Sequence, residues 1–170
     1  VALRHFHGGG GEYGIDSEET TQTWDPELEI AMEAMQVRGD IVLGRMDGES
    51  PKFPNNFLNA GAKIGLVGGS DHTSGPLLNH FGLTGFWVRE FTREAVWNAL
   101  LNRRTLACSN GKILIWPELE GNAMGAEVSV SGKVEIKTTL SAPRPIKRAC
   151  LLKNGVPLEW HDIGEKQAQI

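Results

Sequence analysis

The hydrophobic period changes near residue 112, and this change constrains the fold more than any other feature of the sequence. Upstream, short apolar runs alternate with segments of helical spacing, which is typical of a parallel α/β layout. Downstream, "KVEIKTTL" sets Val134, Ile136, Thr138 and Leu140 between charged or polar neighbours. This alternation indicates a half-buried antiparallel strand. The sequence therefore predicts an α/β part over 1–111 and a β-rich, sandwich-like tail over 112–170.

Several segments of the first part carry start and stop signals. "VALRHF" reads as a short strand that a run of glycines ends, and "IGLVGG" as a strand buried on both faces. "DPELEIAMEAMQ" has an N-cap in Asp25, a proline at the first helical position and apolar residues at helical spacing, which predict a helix. "NNFLNAGAKI" predicts a helix that stops near Gly61, "LTGFWV" a strand, and "TREAVWNALLNRR" a helix capped by Thr92.

The tail contains one clear turn signal. "IKRACLLKNGVPLEW" predicts a β-hairpin, because Asn154-Gly155 can adopt the positive φ angles of a tight two-residue turn.

Composition excludes some classes of partner. The net charge of −4 argues against a nucleic-acid partner, which needs a basic face. No apolar run approaches the roughly 20 residues that span a bilayer, so we expect no membrane partner. The two cysteines, Cys108 and Cys150, are too few for a disulfide framework and are expected to be small, half-buried residues.

Potential metal ligands follow two of the predicted strands. His5 and His7 lie at the end of the first strand, and Asp71 and His72 follow "KIGLVGGS". In parallel α/β folds, sites form beyond the carboxyl ends of the strands. Imidazole and carboxylate are usual ligands of zinc, manganese and iron. These four residues are therefore candidate metal ligands, and Gly68-Gly69 would let backbone approach the site closely.

The residues alone leave simpler interpretations open. Asp71 in a Ser-Asp-His-Thr-Ser segment can be an ordinary turn residue, and His5 and His7 can be solvated loop residues. The glycine run at 8–11 lacks the lysine and hydroxyl residue of a phosphate-binding loop.

Roughly residues 1–155 resemble the last part of a polymerase and histidinol phosphatase (PHP) superfamily barrel, in particular a group of PHP-like bacterial proteins of unknown function, and residues 57–125 carry most of the resemblance. The resemblance rests on the order of motifs: "GGSDHTSGP", "GLTGFWV", "TREAVWNALLNRRT" and the turn "GNAMG". It implies a distorted TIM-like barrel with two or three metal ions at the carboxyl strand ends, and hydrolysis of phosphoesters.

Carried over residue by residue, Asp71 matches the aspartate ligand of the last motif and His72 the following histidine, although the usual spacer is missing. These two are the predicted catalytic residues. His7, or alternatively His5, matches a ligand at an earlier strand end. Glu33 and Gln36 match a family strand, which changes the prediction for this segment to helix over about 25–30 and strand over about 31–37.

The family's opening His-x-His motif and its middle ligands have no counterpart here. The chain therefore looks like a C-terminal fragment with about the last four barrel strands, and the missing N-terminal half of the barrel would be its partner.

Two classes of function follow. The first is a metal-dependent hydrolase, most simply a phosphoesterase for a small-molecule substrate, in which metal-activated water attacks and Arg4 or Arg38 holds phosphate. The second is a non-catalytic scaffold or β-sandwich interaction module without a full metal set. A carbohydrate-binding tail would rest on Trp116 and Trp160, which are more commonly packing aromatics.

Overall fold

The computed structural model describes residues 2–4, 24–36, 39–40, 58–70, 82–109 and 111–170. These residues contain twelve strands and one complete helix. The strands are β1 (Ala2–Arg4), β2 (Glu29–Gln36), β3 (Gly39–Asp40), β4 (Gly65–Gly68), β5 (Leu83–Phe86), β6 (Thr105–Cys108), β7 (Leu114–Leu119), β8 (Asn122–Ala123), β9 (Ile136–Ser141), β10 (Arg148–Lys153), β11 (Val156–Asp162) and β12 (Gln167–Gln169), and the helix is α1 (Arg93–Leu101).

Strand β2 is the centre of the first sheet. It pairs in parallel with β1 on one side and with β4 on the other, and its last two residues pair antiparallel with β3. Four consecutive β2 residues, 31–34, are buried, so both faces of this strand are covered. The core beside it is formed by Met32, Ala34, Ala62 and Ile64.

The helix predicted over 25–36, and its shortened form over 25–30, are wrong. Asp25 does act as a cap, since its Oδ1 accepts from the backbone N–H groups of Glu27 and Leu28 at 2.9 and 3.3 Å. The turn lasts only for residues 26–28, and β2 begins at Glu29. The strand expected over about 31–37 is confirmed, with an earlier start.

The other upstream elements follow their local signals. Strands β1, β4 and β5 lie where they were predicted, and residues 58–59 are helical ahead of Gly61, whose φ is +90°. Thr92 caps α1, with Oγ1 accepting from the Ala95 N–H at 3.1 Å. After α1 the chain does not return to the parallel sheet, because β6 pairs antiparallel with β5.

The tail forms two antiparallel sheets. The first has the strand order β12–β9–β7–β8, and the second is the β10–β11 hairpin. In β9 the predicted alternation is confirmed: Leu140 is buried, Ile136 and Thr138 are half-buried, and Lys137 and Thr139 are exposed. The hairpin turn is also confirmed, with φ of +52° at Asn154 and +74° at Gly155.

Contacts join the tail to the upstream part. The Arg103 guanidinium donates to the carbonyl of Gly125 at 2.6 Å, and Lys63 pairs with Glu127 at 2.7 Å. The rings of Trp87 and Trp116 meet edge to face, with centroids 4.6 Å apart. The division into domains at 111/112 stays a prediction, and these contacts cross it.

The prediction of an α/β fold with part of a TIM-like barrel is wrong. The described residues form a β-rich fold of small sheets with one short helix, and antiparallel pairs outnumber parallel ones. The physical reason lies in the strand pairing: β5 pairs antiparallel with β6, and β9 of the tail pairs antiparallel with both β7 and β12. In the described ranges, no helix has the length and apolar character needed to cross a bilayer.

Candidate functional site

The four predicted ligands lie outside the described residues. His5 and His7 come after Arg4, the last residue of β1, and Asp71 and His72 come after Ser70. Their role as metal ligands, and the catalytic role of Asp71 and His72, therefore stay predictions. Arg38 is also outside the described residues.

The strands that lead to these residues share one edge of the first sheet. Arg4 of β1 lies opposite Met32 of β2, and Met32 lies opposite Leu66 of β4. Because β1 and β4 run parallel to β2 on its two sides, both leave the sheet in the same direction. The carboxyl ends of β1 and β4 thus flank the second half of β2.

Glu33 stands in this second half of β2. It lies opposite Val67 in β4, and only 8% of its surface is exposed. A Cβ added at Gly69 would come too close to Glu33 Oε1, so the carboxylate lies beside this glycine. A buried carboxylate is therefore located where β4 ends, directly before Ser70 and Asp71.

Three glycines permit the close contacts at the end of β4. A Cβ at Gly68 would run into the backbone of Leu83, and a Cβ at Gly82 would run into the carbonyl of Gly69. Gly82 also has a φ of +110°, which disfavours other residues. The sequence had indicated Gly68 and Gly69 as positions of close approach, but it gave no role to Gly82.

The Thr84 side chain joins β5 to the end of β4 by hydrogen bonds. Its hydroxyl accepts from the Gly68 N–H at 3.0 Å and donates to the Gly68 carbonyl at 2.7 Å. The Gly69 N–H donates to the carbonyl of Met35 at 2.9 Å, which ties the end of β4 to β2. The segment 70–81 therefore starts and finishes at points that are held together beside Glu33. The sequence gave only a weak signal for this role of Thr84, since threonine is common in strands.

No group of three or more His, Cys, Asp or Glu side chains within the described ranges is arranged to hold a metal ion. The donors that could join Glu33 in such a group are His5, His7, Asp71 and His72, which are not among these residues. A buried carboxylate and a glycine-lined backbone fit the oxygen-rich part of a divalent-metal site.

Two titratable side chains among the described residues, Cys108 and Glu127, have shifted pKa values. Burial raises the pKa of the Cys108 thiol, and Lys112 opposes this effect. Both cysteines are half-buried free thiols, as expected. A hydrogen bond from Lys63 lowers the pKa of the exposed Glu127 carboxyl, and the charges of Lys63 and Arg103 act in the same direction.

The two tryptophans of the carbohydrate alternative have different surroundings. Trp116 packs against Trp87, and its Nε1 donates to the Glu118 carboxylate at 3.2 Å, so it is a packing aromatic. Trp160 is half-exposed, and the Arg148 guanidinium lies 4.3 Å from its ring centroid.

Comparison of the chain with protein-family models, with curated proteins and with solved structures gives no match.

Proposed function

We propose that this chain is part of a divalent-metal-dependent hydrolase that acts on small-molecule phosphoesters. The observation that carries the proposal is the shared edge of the first sheet. Along the sequence, β1 leads to His5 and His7, and β4 leads to Asp71 and His72. Buried Glu33 lies in β2, the strand between β1 and β4. The order of motifs over 57–125 supports the same chemistry through its resemblance to PHP-like proteins.

The proposed ligands are Asp71 with His72, and His7 with His5 as its alternative. When bound, zinc, manganese or iron supplies Lewis acidity, which activates water and neutralises charge on phosphoryl oxygens. The residues of this chain would hold the ion. The tight backbone contacts around Gly69 fix the position at which the segment carrying Asp71 begins. Further ligands would come from a partner polypeptide, as the resemblance to PHP-like proteins implies.

The direct test is metal content. The purified protein is stripped by mild chelation, reloaded with zinc or manganese and measured by elemental analysis. We expect stoichiometric metal in the wild type and substoichiometric metal in Asp71→Ala, because the loss of a ligand weakens binding by more than the 10–100-fold typical of its supporting residues. Asp162→Ala, on the exposed β11 strand, is the matched control and should keep its metal. Metal content that is equal in Asp71→Ala and in the control would contradict the assignment of Asp71.

The second candidate is a non-catalytic interaction module. It is favoured by the exposed apolar residues of β11, since Val156, Leu158 and Trp160 are 64, 61 and 49% exposed. Contiguous exposed apolar surface is typical of protein–protein contact. The metal analysis separates the two candidates, because an interaction module of this kind requires no metal.

A further inference from the structure

The most exposed of the large apolar side chains in the described residues is that of Phe91, at 93%. Phe91 directly precedes Thr92, the N-cap of α1. An apolar residue at this position often packs against the fourth residue of the helix, here Val96, and fixes the direction in which the chain enters. Because Phe91 is almost fully exposed, its ring does not pack in this way. The stability of α1 therefore does not explain a phenylalanine here.

Phe91 begins an apolar surface that continues along α1. Trp97 and Leu101 lie four residues apart, on one face of the helix, and are 44 and 42% exposed. An open groove of about 640 Å³ lies on this surface. It is lined by Phe91, Thr92, Arg93, Glu94, Val96 and Trp97. Contiguous exposed apolar surface of this kind is typical of protein–protein contact.

The charges around this surface alternate in sign. Two pairs of adjacent opposite charges, Arg89-Glu90 and Arg93-Glu94, are exposed on either side of Phe91. None of these four residues takes part in a salt bridge among the described residues. Alternating charges in equal number do not favour a strongly charged partner such as an anionic membrane. They favour a partner with the same alternation, which a second copy of this chain carries.

A two-fold axis close to Arg93 and Glu94 would satisfy the polar and the apolar contacts together. In a symmetric dimer, when residue i of one copy contacts residue j of the other, residue j also contacts residue i. Arg93 of each copy then faces Glu94 of the other, which gives two equivalent ion pairs. With the two segments antiparallel about this axis, Phe91 of each copy lies opposite Val96 of the other, which lines the groove.

We propose that the surface formed by Phe91, Trp97 and Leu101 is the interface of a homodimer, in which each copy inserts its Phe91 ring into the groove of the other. This inference does not depend on the proposed hydrolase activity. Aromatic side chains bury about 150–250 Å² each, so the exposed Phe91 and Trp97 rings of two copies supply about half of the roughly 1,200 Å² at which stable interfaces begin. The dimer is therefore of modest affinity, with a dissociation constant in the micromolar range.

The test is sedimentation velocity of the whole chain at concentrations from about 1 to about 100 μM, which bracket such a dissociation constant. We expect the wild type to pass from monomer to dimer over this range. Phe91→Ser removes the inserted ring and should raise the dissociation constant at least tenfold, as expected for a central aromatic residue of an interface. Because Phe91 is exposed, the melting temperature of the monomer should not change. Val130→Ser, which removes a 48% exposed apolar residue from the tail, is the matched control and should leave the dissociation constant unchanged.

A charge exchange tests the position of the two-fold axis. Arg93→Glu places like charges opposite each other and should raise the dissociation constant several-fold. The double variant Arg93→Glu with Glu94→Arg restores opposite charges across the axis and should return to within roughly twofold of the wild type. A double variant that dimerises no better than Arg93→Glu would overturn the proposed pairing.

Two further outcomes would overturn the homodimer. A wild type that stays monomeric up to about 100 μM would leave this surface to a different protein. A dimer with the same dissociation constant in the wild type and in Phe91→Ser would have its interface elsewhere on the chain. Neither outcome affects the metal analysis, so failure of this inference and failure of the proposed function are separate results.

Discussion

At the residue scale, two glycines that flank β8 have different surroundings. Gly121 and Gly125 have φ angles of +72° and +84°, a region that favours glycine. A Cβ at Gly125 would run into the carbonyl oxygen of Asn102, whereas a Cβ at Gly121 would meet nothing within 4 Å. The "GNAMG" motif therefore lets the tail dock on the end of α1, backbone against backbone.

We expect Gly125→Ala to destabilise the protein more than Gly121→Ala. The positive φ angle alone costs about 1–2 kcal/mol in either variant. The clash with Asn102 adds about 1–3 kcal/mol at position 125, since the two backbones must move apart. Urea unfolding of both variants and the wild type gives the free energies of unfolding. Equal losses in the two variants would contradict the docking of this turn on α1.

The site residues show what the sequence alone could and could not predict. Asp71 and the histidines were identified from residue type and strand ends, and their geometry lies outside the described residues. Glu33 was recognised only as part of a resembling strand, because a glutamate among apolar residues fits an amphipathic helix equally well. Its burial depends on tertiary contacts such as the one with Gly69 after β4, which are a property of the assembled sheet.

At the element scale, patterns with a purely local cause predicted the structure correctly. The alternation in β9, the Asn154-Gly155 turn and the Thr92 cap each depend on a few adjacent residues. The spacing of residues 25–36 predicted a helix wrongly, whereas the resemblance predicted the strand over about 31–37. A strand buried on both faces reads as a largely apolar run without a period of two. In such a run, apolar residues also occur at helical spacing by chance, and the cap at Asp25 strengthened that interpretation.

Helix α1 depends on its cap, because its nine residues are too few for a stable isolated helix. We expect Thr92→Ala to lower the free energy of unfolding by about 1 kcal/mol, since the hydrogen bond to the Ala95 N–H is lost. Thr92→Asn keeps a capping oxygen and should restore most of this stability. Thermal unfolding followed by circular dichroism measures both variants. A destabilised Thr92→Asn variant would show that the threonine methyl group, and not the cap, is what matters.

At the scale of the whole molecule, the fold class was predicted wrongly because strands distant in sequence pair with each other. Local spacing gave alternating strands and helices, which favoured a parallel barrel. The described chain instead pairs β5 with β6, and β9 with both β7 and β12, in antiparallel fashion. Which strands become neighbours depends on the burial that each pairing achieves, and no short segment of sequence records it.

Contacts between the tail and the upstream part determine whether the tail behaves as a separate unit. Trp87 directly follows β5 and Trp116 lies in β7, so their edge-to-face contact joins the two parts across the predicted boundary at 111/112. Together with the Arg103–Gly125 and Lys63–Glu127 contacts, it should make the two parts unfold together. The coupling between the two rings measures this connection directly.

A double-mutant cycle with Trp87→Leu and Trp116→Leu tests it. We expect the free energies of unfolding of the single and double variants to be non-additive by about 0.5–1.5 kcal/mol, the value typical of an aromatic pair. The control cycle combines Trp87→Leu with Trp160→Leu and should be additive, because the Trp160 ring contacts Arg148 within the hairpin. If the Trp87–Trp116 cycle is additive as well, the contact between the two rings does not couple the tail to the upstream part.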